Sequence, residues 1–198
     1  MIDWIKNINK DYPEFWKNYL SKFENQPQRY VALSIDYSGA NPQKDVVFAI
    51  AAVGIENDKI NIGDFFEVVL LQYVYLHENG LSNESIIESK LPKLGEREAI
   101  QAFIEYIGNA VLVGYKINLT IDLINAALEK MNCGRLKNDA IDIEIMHKKF
   151  KDTSDKSYSL ADICEDFKLP IIEEIVIPDL AYTVSLLFLK LKSRLGLK

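Results

Sequence analysis

The chain has 198 residues, is 48% hydrophobic and 26% charged, and carries a formal net charge of −6. This composition excludes a disordered or fibrous chain and suits one domain of ordinary size, long enough to bury a core without staples. The acidic balance argues against a protein that coats nucleic acid by replacing counterions with clustered Lys and Arg, and two distant cysteines, Cys133 and Cys164, make neither a disulfide framework nor a CxxC metal site.

The opening Met1-Ile2-Asp3-Trp4-Ile5-Lys6 lacks the apolar segment of a signal peptide. No apolar run approaches the roughly 18 residues of a membrane span, so the expected location is cytoplasmic. Trp16, Tyr19, Leu20 and Phe23 follow i, i+3, i+4, i+7 spacing and predict a helix with one apolar face, with Pro13 at its first turn. That face packs on the domain or docks a partner protein. Three strand-like runs come next: Tyr30 to Asp36, Val46 to Ile55 and Lys59 to Leu71. The second is apolar almost throughout, as a strand covered on both faces should be. The polar turn Glu56-Asn57-Asp58-Lys59 makes the second and third a hairpin. Helices are expected over Glu96–Ile107, Leu119–Met131, Ile143–Phe150, Leu160–Phe167 and Asp179–Leu195, with short strands at Ala110–Val113 and Ala140–Asp142. Ser159 is a candidate cap for the helix that starts at Leu160.

The order β-β-β-α-β-α-β-α-α-α predicts an α/β domain. An antiparallel meander continues into βαβ units, giving a mixed sheet with helices on both faces. Sites in such sheets lie beyond the carboxyl ends of central strands, which draws attention to Ser34-Ile35-Asp36-Tyr37-Ser38-Gly39. Residues 1–28 read as a helical extension and 29–198 as the domain.

The segment from Ser34 to Asp45, followed by the run ending Ala51-Ala52-Val53, resembles the first motif of the DnaQ-type 3′–5′ exonucleases, D-x-E-T-T-G-x2-P-x2-D and a strand ending Gly-Ala-Val. Gly39, Pro42, Asp45, Ala52 and Val53 fall in register, which puts Asp36 at the motif's Glu and Ser34 at its first Asp. Val113-Gly114 to Asn125 is similar to V-G-H-N-x-x-F-D-x-x-F-L-N, with Thr120 where the metal-binding Asp belongs. Ile141-Asp142 resembles the I-D-T strand. Asp179, Thr183 and Leu186 to Leu189 fit the closing H-x-A-x-x-D-A pattern and its helix, with Glu174 at the general-base His and Val176 at the Ala. The resemblance spans roughly residues 29 to 195 and implies a ribonuclease H-like fold.

The resemblance also implies a chemistry, hydrolysis of a terminal phosphodiester by two divalent ions. Mg²⁺ or Mn²⁺ would need several converging carboxylates, and a His would take the water's proton. Here the corresponding positions hold Ser34, Asp36, Thr120, Glu174 and Asp179. Hydroxyls are weak ligands, Asp36 reaches one methylene less far than Glu, and Glu174 has too low an ordinary pKa, about 4.3, to replace His easily. The implied metal ligands are Asp36 and Asp179, with Glu174 as the implied base. Ser34, Tyr37, Ser38, Tyr115 and Thr120 are the implied substrate contacts. Tyr37 and Tyr115, where the family has small or polar residues, would fill the cleft. Asp122 lies about 200° around the helix from Thr120 and would point away from it. Asp142 and Glu144 would contribute if their strand ends beside the site.

The expected function is therefore an exonuclease-like domain, similar to the DNA polymerase III epsilon exonuclease, with impaired or lost catalysis and a binding role. The alternative is an active metal-dependent 3′–5′ exonuclease or oligonucleotide phosphodiesterase with altered ligands. Its substrate would be a single-stranded DNA or RNA 3′ end. His77 and His147 read as surface residues, and Lys190, Lys192, Arg194 and Lys198 as a solvated helix end.

Overall fold

A computed structural model describes residues 11–27, 29–72, 92–170 and 177–197. Helix α1 (Glu14–Ser21) begins directly after Pro13 and runs into a 3-10 turn at Lys22–Glu24. Strands β1 (Tyr30–Tyr37), β2 (Val47–Glu56) and β3 (Lys59–Leu71) form the antiparallel meander. Asn57 and Asp58 both take positive φ in the hairpin turn, the mirror-image geometry that matches strand twist. Strand β4 (Lys93–Gly95), helix α2 (Glu96–Ile107), strand β5 (Val111–Gly114) and helix α3 (Ile117–Lys130) follow. Strand β6 (Ala140–Asp142) and helices α4 (Ile143–Lys151), α5 (Leu160–Asp166) and α6 (Ile177–Arg194) complete the described chain.

Among the described residues the sheet has the order β4-β3-β2-β1-β5-β6, with β5 and β6 parallel to β1. This is the predicted mixed α/β sheet. Strand β4 was not foreseen: three residues carry no periodicity, and the strand is defined by its parallel pairing with Val69–Leu71. Alternation along β1 sorts the core into two halves. Val31, Leu33 and Ile35 join α1, α2 and α3 on one face of the sheet. Ala32 joins α4, α5 and α6 on the other, where Phe188 and Leu191 meet Val53 and Ile55 of β2. Ser34 and Asp36 share Ala32's face of the pleat, since side chains alternate along a strand.

The α1 stripe lies inside the domain. Trp16 and Tyr19 are each 1% exposed, and Leu20 and Phe23 pack against the same core. Burial of two large aromatics occupies the face that was open to a partner protein. Tyr19 donates its hydroxyl to Asn138 Oδ1 (2.7 Å) and accepts the Lys137 N–H (2.7 Å).

The β2–β3 ladder jumps from Gly54↔Asn61 to Val53↔Phe65, so residues 62–64 bulge out of the sheet. Arg29 pins the bulge by pairing with Asp64, and Tyr106 donates its hydroxyl to the Asp64 carbonyl (2.9 Å). A Cβ on Gly54 would run into the Asp64 carboxylate, so this close approach requires glycine.

Two surface expectations are overturned. His147 is fully buried, with its ring set edge-on to Tyr158 (centroids 4.5 Å apart) and near Phe150 and Phe167. It belongs to the stripe Ile143, Met146, His147, Phe150, whose i, i+3, i+4, i+7 spacing turns it inward. Lys192 is also buried. It folds over the Tyr30 ring (5.3 Å) and pairs with Asp58 of the hairpin turn, its stem covering apolar surface while its charge finds a partner. His77 lies outside the described residues.

Candidate active site

Beyond the carboxyl end of β1 lies a cleft of about 500 Å³. The floor is Leu33, Ser34, Ile35, Asp36 and Tyr37 of β1. One wall is Tyr115, Lys116, Leu119 and Thr120, where β5 turns into α3. The opposite side is Leu160, Ala161 and Cys164 of α5 with Ile177, Leu180, Thr183 and Val184 of α6.

The α3 wall is set by Asp142 at the end of β6. Its Oδ2 accepts the Ile117 N–H (2.9 Å) and its Oδ1 the Glu144 N–H (2.8 Å). One carboxylate thus satisfies a free donor at the start of two helices, where the helix dipole also favours negative charge. This brace starts α3 at Ile117 rather than Leu119. It also holds Lys116 in the left-handed region (φ 51°), unusual for a residue with a side chain. Gly114 precedes it because a Cβ there would press on the Ile117 side chain at 2.6 Å. Tyr115 is anchored by its hydroxyl, which donates to the Tyr158 carbonyl (2.9 Å).

Glu144 is equally committed to structure. Its Oε1 accepts from Ser157 Oγ (2.9 Å) and the Tyr158 N–H (3.2 Å), and Lys148 Nζ lies 3.0 Å away. Desolvation alone would raise its pKa, but Lys148, Ser157 and the Tyr158 amide together hold the carboxyl below its ordinary value.

Five of the residues singled out in the sequence therefore meet in one cleft: Ser34, Asp36, Tyr37, Tyr115 and Thr120. Ser38 turns away, donating to Asp45 Oδ1 (2.8 Å) and accepting the Val46 N–H (3.0 Å). Asp45 also accepts the Asn41 N–H (2.8 Å), and its carboxylate oxygens lie 2.7 Å from where a Cβ on Gly39 would be. The Gly39-to-Asp45 spacing thus builds the loop after β1. Asp179 is exposed in the first turn of α6, between the cleft residues Ile177 and Leu180 in sequence but not itself in the lining. Glu174 and Val176 lie outside the described residues. Asp122 pairs with Arg135 (2.7 Å) and lines a different groove, as its angular offset from Thr120 requires. Asn125 is buried and accepts the Leu136 N–H (2.8 Å).

Asp36 is the one acidic residue of the described lining, and Lys116 the one basic residue. Asp36 keeps contact with solvent, but the cleft walls displace part of its hydration. Its carboxyl is pushed above the ordinary value by this desolvation, against a weaker lowering by a hydrogen bond from the Tyr37 backbone. Most other liners are apolar, with Ser34, Thr120 and Thr183 as neutral polar groups. Among the described residues no three His, Cys, Asp or Glu side chains cluster to hold a metal ion. Sequence reasoning missed Lys116 and the whole α5 contribution. Lys116 sits inside the second motif and could have been noted there. Leu160, Ala161 and Cys164 come from a remote helix with no motif, and topology alone brings them to the cleft.

The model of the RNase T exonuclease family matches residues 37–174. A DNA polymerase III of PolC type from Pediococcus pentosaceus is 26% identical over 115 residues, 58% of this chain and 8% of that protein. E. coli exonuclease I in complex with a dT13 oligonucleotide superposes with a TM-score of 0.64 at 11% identity, over 86% of this chain and 42% of that one. Cell-death related nuclease 4 gives a TM-score of 0.64 at 13% identity, over 86% of this chain and 65% of that one. The two solved structures share the fold. The chain spans less than two thirds of each of these relatives.

Proposed function

The chain belongs to the RNase T exonuclease family, and from that premise we propose that this copy keeps the DnaQ-like domain, has impaired or lost hydrolysis, and works through binding at the β1 cleft. One observation carries the reading. The cleft has a single carboxylate in its described lining, Asp36, with neutral hydroxyls at Ser34 and Thr120.

The resemblance implies two divalent cations, which would supply an activated water and stabilise the leaving oxygen. We read the donor set as too poor for them. Mg²⁺ gives up its hydration shell reluctantly and asks for charged oxygen ligands. Asp36 and the exposed Asp179 could share at most one ion, and the remaining polar groups of the described lining add no negative charge. Asp142 and Glu144 are no reserve, because each is occupied by the hydrogen bonds that hold the cleft wall. What remains, among the described residues, is a largely apolar cleft that offers one carboxylate acceptor, one ammonium and the hydroxyls of Ser34, Thr120 and Thr183.

Incubation with 3′-labelled single-stranded DNA and RNA, in Mn²⁺, Mg²⁺ or EDTA, tests the reading, with Asp179→Ala in parallel. The expected result is no shortening under any condition. Metal-dependent shortening that Asp179→Ala abolishes would sink the reading and favour an active phosphodiesterase with altered ligands.

A further inference from the structure

We infer that a small pocket between α1 and residues 134–137 binds a free organic carboxylate with an apolar body, and that the carboxylate accepts the Trp16 indole N–H. The inference goes beyond the binding role proposed above. The pocket shares no described lining residue with the β1 cleft. Tyr12, Trp16 and Leu20 precede the segment that the family model matches, so the pocket exists only with the α1 extension.

An unused donor is the first observation. Trp16 is 1% exposed, and its Nε1 is buried without a hydrogen-bond partner. A buried N–H left unpaired is costly, and native structures rarely keep one. Tyr19, three residues on in the same helix, is fully satisfied by Asn138 and Lys137. An indole nitrogen donates and does not accept, so the missing partner is an acceptor.

The second observation is where that donor lies. A Cβ built on Gly134 would stand 3.5 Å from Trp16 Nε1 and 3.6 Å from the Tyr12 hydroxyl. Glycine leaves that position empty, and all three residues line a pocket of about 200 Å³. Its flanks are tied: the Cys133 N–H donates to the Leu128 carbonyl (3.0 Å) and the Leu136 N–H to Asn125 Oδ1 (2.8 Å). Gly134 itself makes no hydrogen bond among the described residues. A short shift of Gly134 therefore opens Nε1 to the pocket without breaking a described bond.

The rest of the lining selects the acceptor. Arg135 and Lys137 both border the pocket. Arg135 already serves Asp122 (2.7 Å), whereas Lys137 has no ion pair among the described residues. A charged acceptor gains from these cations and bonds more strongly than a neutral carbonyl. Leu20 and Leu136, with the two aromatic residues, suit an apolar body. The volume lies below the usual range for drug-sized ligands, which limits that body to one ring or a short branched chain.

The chain has two tryptophans, so its ¹H–¹⁵N NMR spectrum holds two indole signals, and Trp16→Phe identifies one. Benzoate is titrated into the full chain, beside benzamide, which has the same shape without the charge, and benzylammonium, which has no acceptor. The Trp16 indole proton should move downfield and saturate with benzoate, benzamide should bind more weakly, and benzylammonium should not bind. Gly134 does not take a positive φ and its Cβ would make only ordinary contacts, so Gly134→Ala should fold. Its methyl group covers Nε1 and should weaken benzoate by about tenfold or more, the loss of a hydrogen bond to a charged acceptor. Benzoate binding undiminished in Gly134→Ala overturns the inference, as does equal or tighter binding of benzamide or benzylammonium. A Trp16 signal that no probe moves also overturns it, and one already far downfield in the free protein would show that the chain or a water supplies the acceptor.

Discussion

His147 Nε2 lies 2.8 Å from Asp166 Oδ2, tying α4 to α5 through an imidazole that has no exposed surface. Lys151 reaches the same oxygen at 2.8 Å. Lys151 chiefly, with His147, holds the Asp166 carboxyl below its ordinary value against a smaller opposing desolvation. A depressed folded-state pKa contributes stability above the unfolded-state pKa and loses it as pH falls through the folded one. Asp166→Asn should therefore lower the urea midpoint at neutral pH, and the gap from the parent should close as acid protonates Asp166. A gap that persists unchanged below that range would contradict the assignment.

Asp36 has the opposite sign. Its raised folded-state pKa means that ionisation opposes folding, fully above that pKa and not at all below the unfolded value of about 3.8. Asp36→Asn should raise the unfolding midpoint at neutral pH and match the parent in strong acid. A less stable variant at neutral pH would mean that Asp36 has a stabilising partner.

Trp16 is 1% exposed in the core shared by α1, α2 and α3. Trp16→Ala should cost about 3–5 kcal/mol in denaturant unfolding, the usual range for removing a buried large aromatic. Residues 1–28 precede the exonuclease-like segment in the chain, yet this substitution treats α1 as part of its core. A cost under about 1 kcal/mol would instead mark α1 as dispensable.

Asp142→Ala removes a cap from α3 and from α4 at once. Each lost cap is worth about 1 kcal/mol, so the expected loss is about 2 kcal/mol. Asp142→Asn, which keeps one acceptor oxygen, should lose less. Faster amide exchange at Ile117 and Glu144 would locate the damage at the two helix starts.

A protein that binds no divalent ion gains nothing from one, since a ligand stabilises only by its affinity for the folded state. Thermal unfolding in EDTA and in millimolar Mn²⁺ should coincide. A clear upward shift in Mn²⁺ that Asp36→Ala removes would place a metal in the β1 cleft.

Much of the fold was readable because it is carried by periodicity. The α1 stripe, the continuous apolar run of β2 and the paired positive-φ turn residues Asn57 and Asp58 each have a local signature. The motif register brought Ser34, Asp36, Tyr37, Tyr115 and Thr120 to one place. What was unreadable depends on distant partners. Strand β4 exists through its ladder with β3, α3 begins where a carboxylate on β6 caps it, and Lys192 turns inward because Asp58 of a remote hairpin receives it. His147 is a different case, since its stripe spacing was visible and was outweighed by the neighbouring Lys148 and Lys149. Ser38 and Asp179 sit in the motifs but outside the cleft lining, because a motif fixes order along the chain and not the direction of each side chain.

The Tyr19 hydroxyl joins residues 119 positions apart in the chain, and this has a kinetic consequence. During synthesis α1 emerges long before Lys137 and Asn138 exist to receive it, at roughly 5–20 residues per second. The Tyr19 hydroxyl must wait roughly 6–24 s for these partners, while Phe103 and Ile107 of α2 reach the same core earlier. The Tyr19 bonds to Lys137 and Asn138 therefore close after α1 can pack on α2, and protection of the Lys137 amide from exchange is the natural clock for that step.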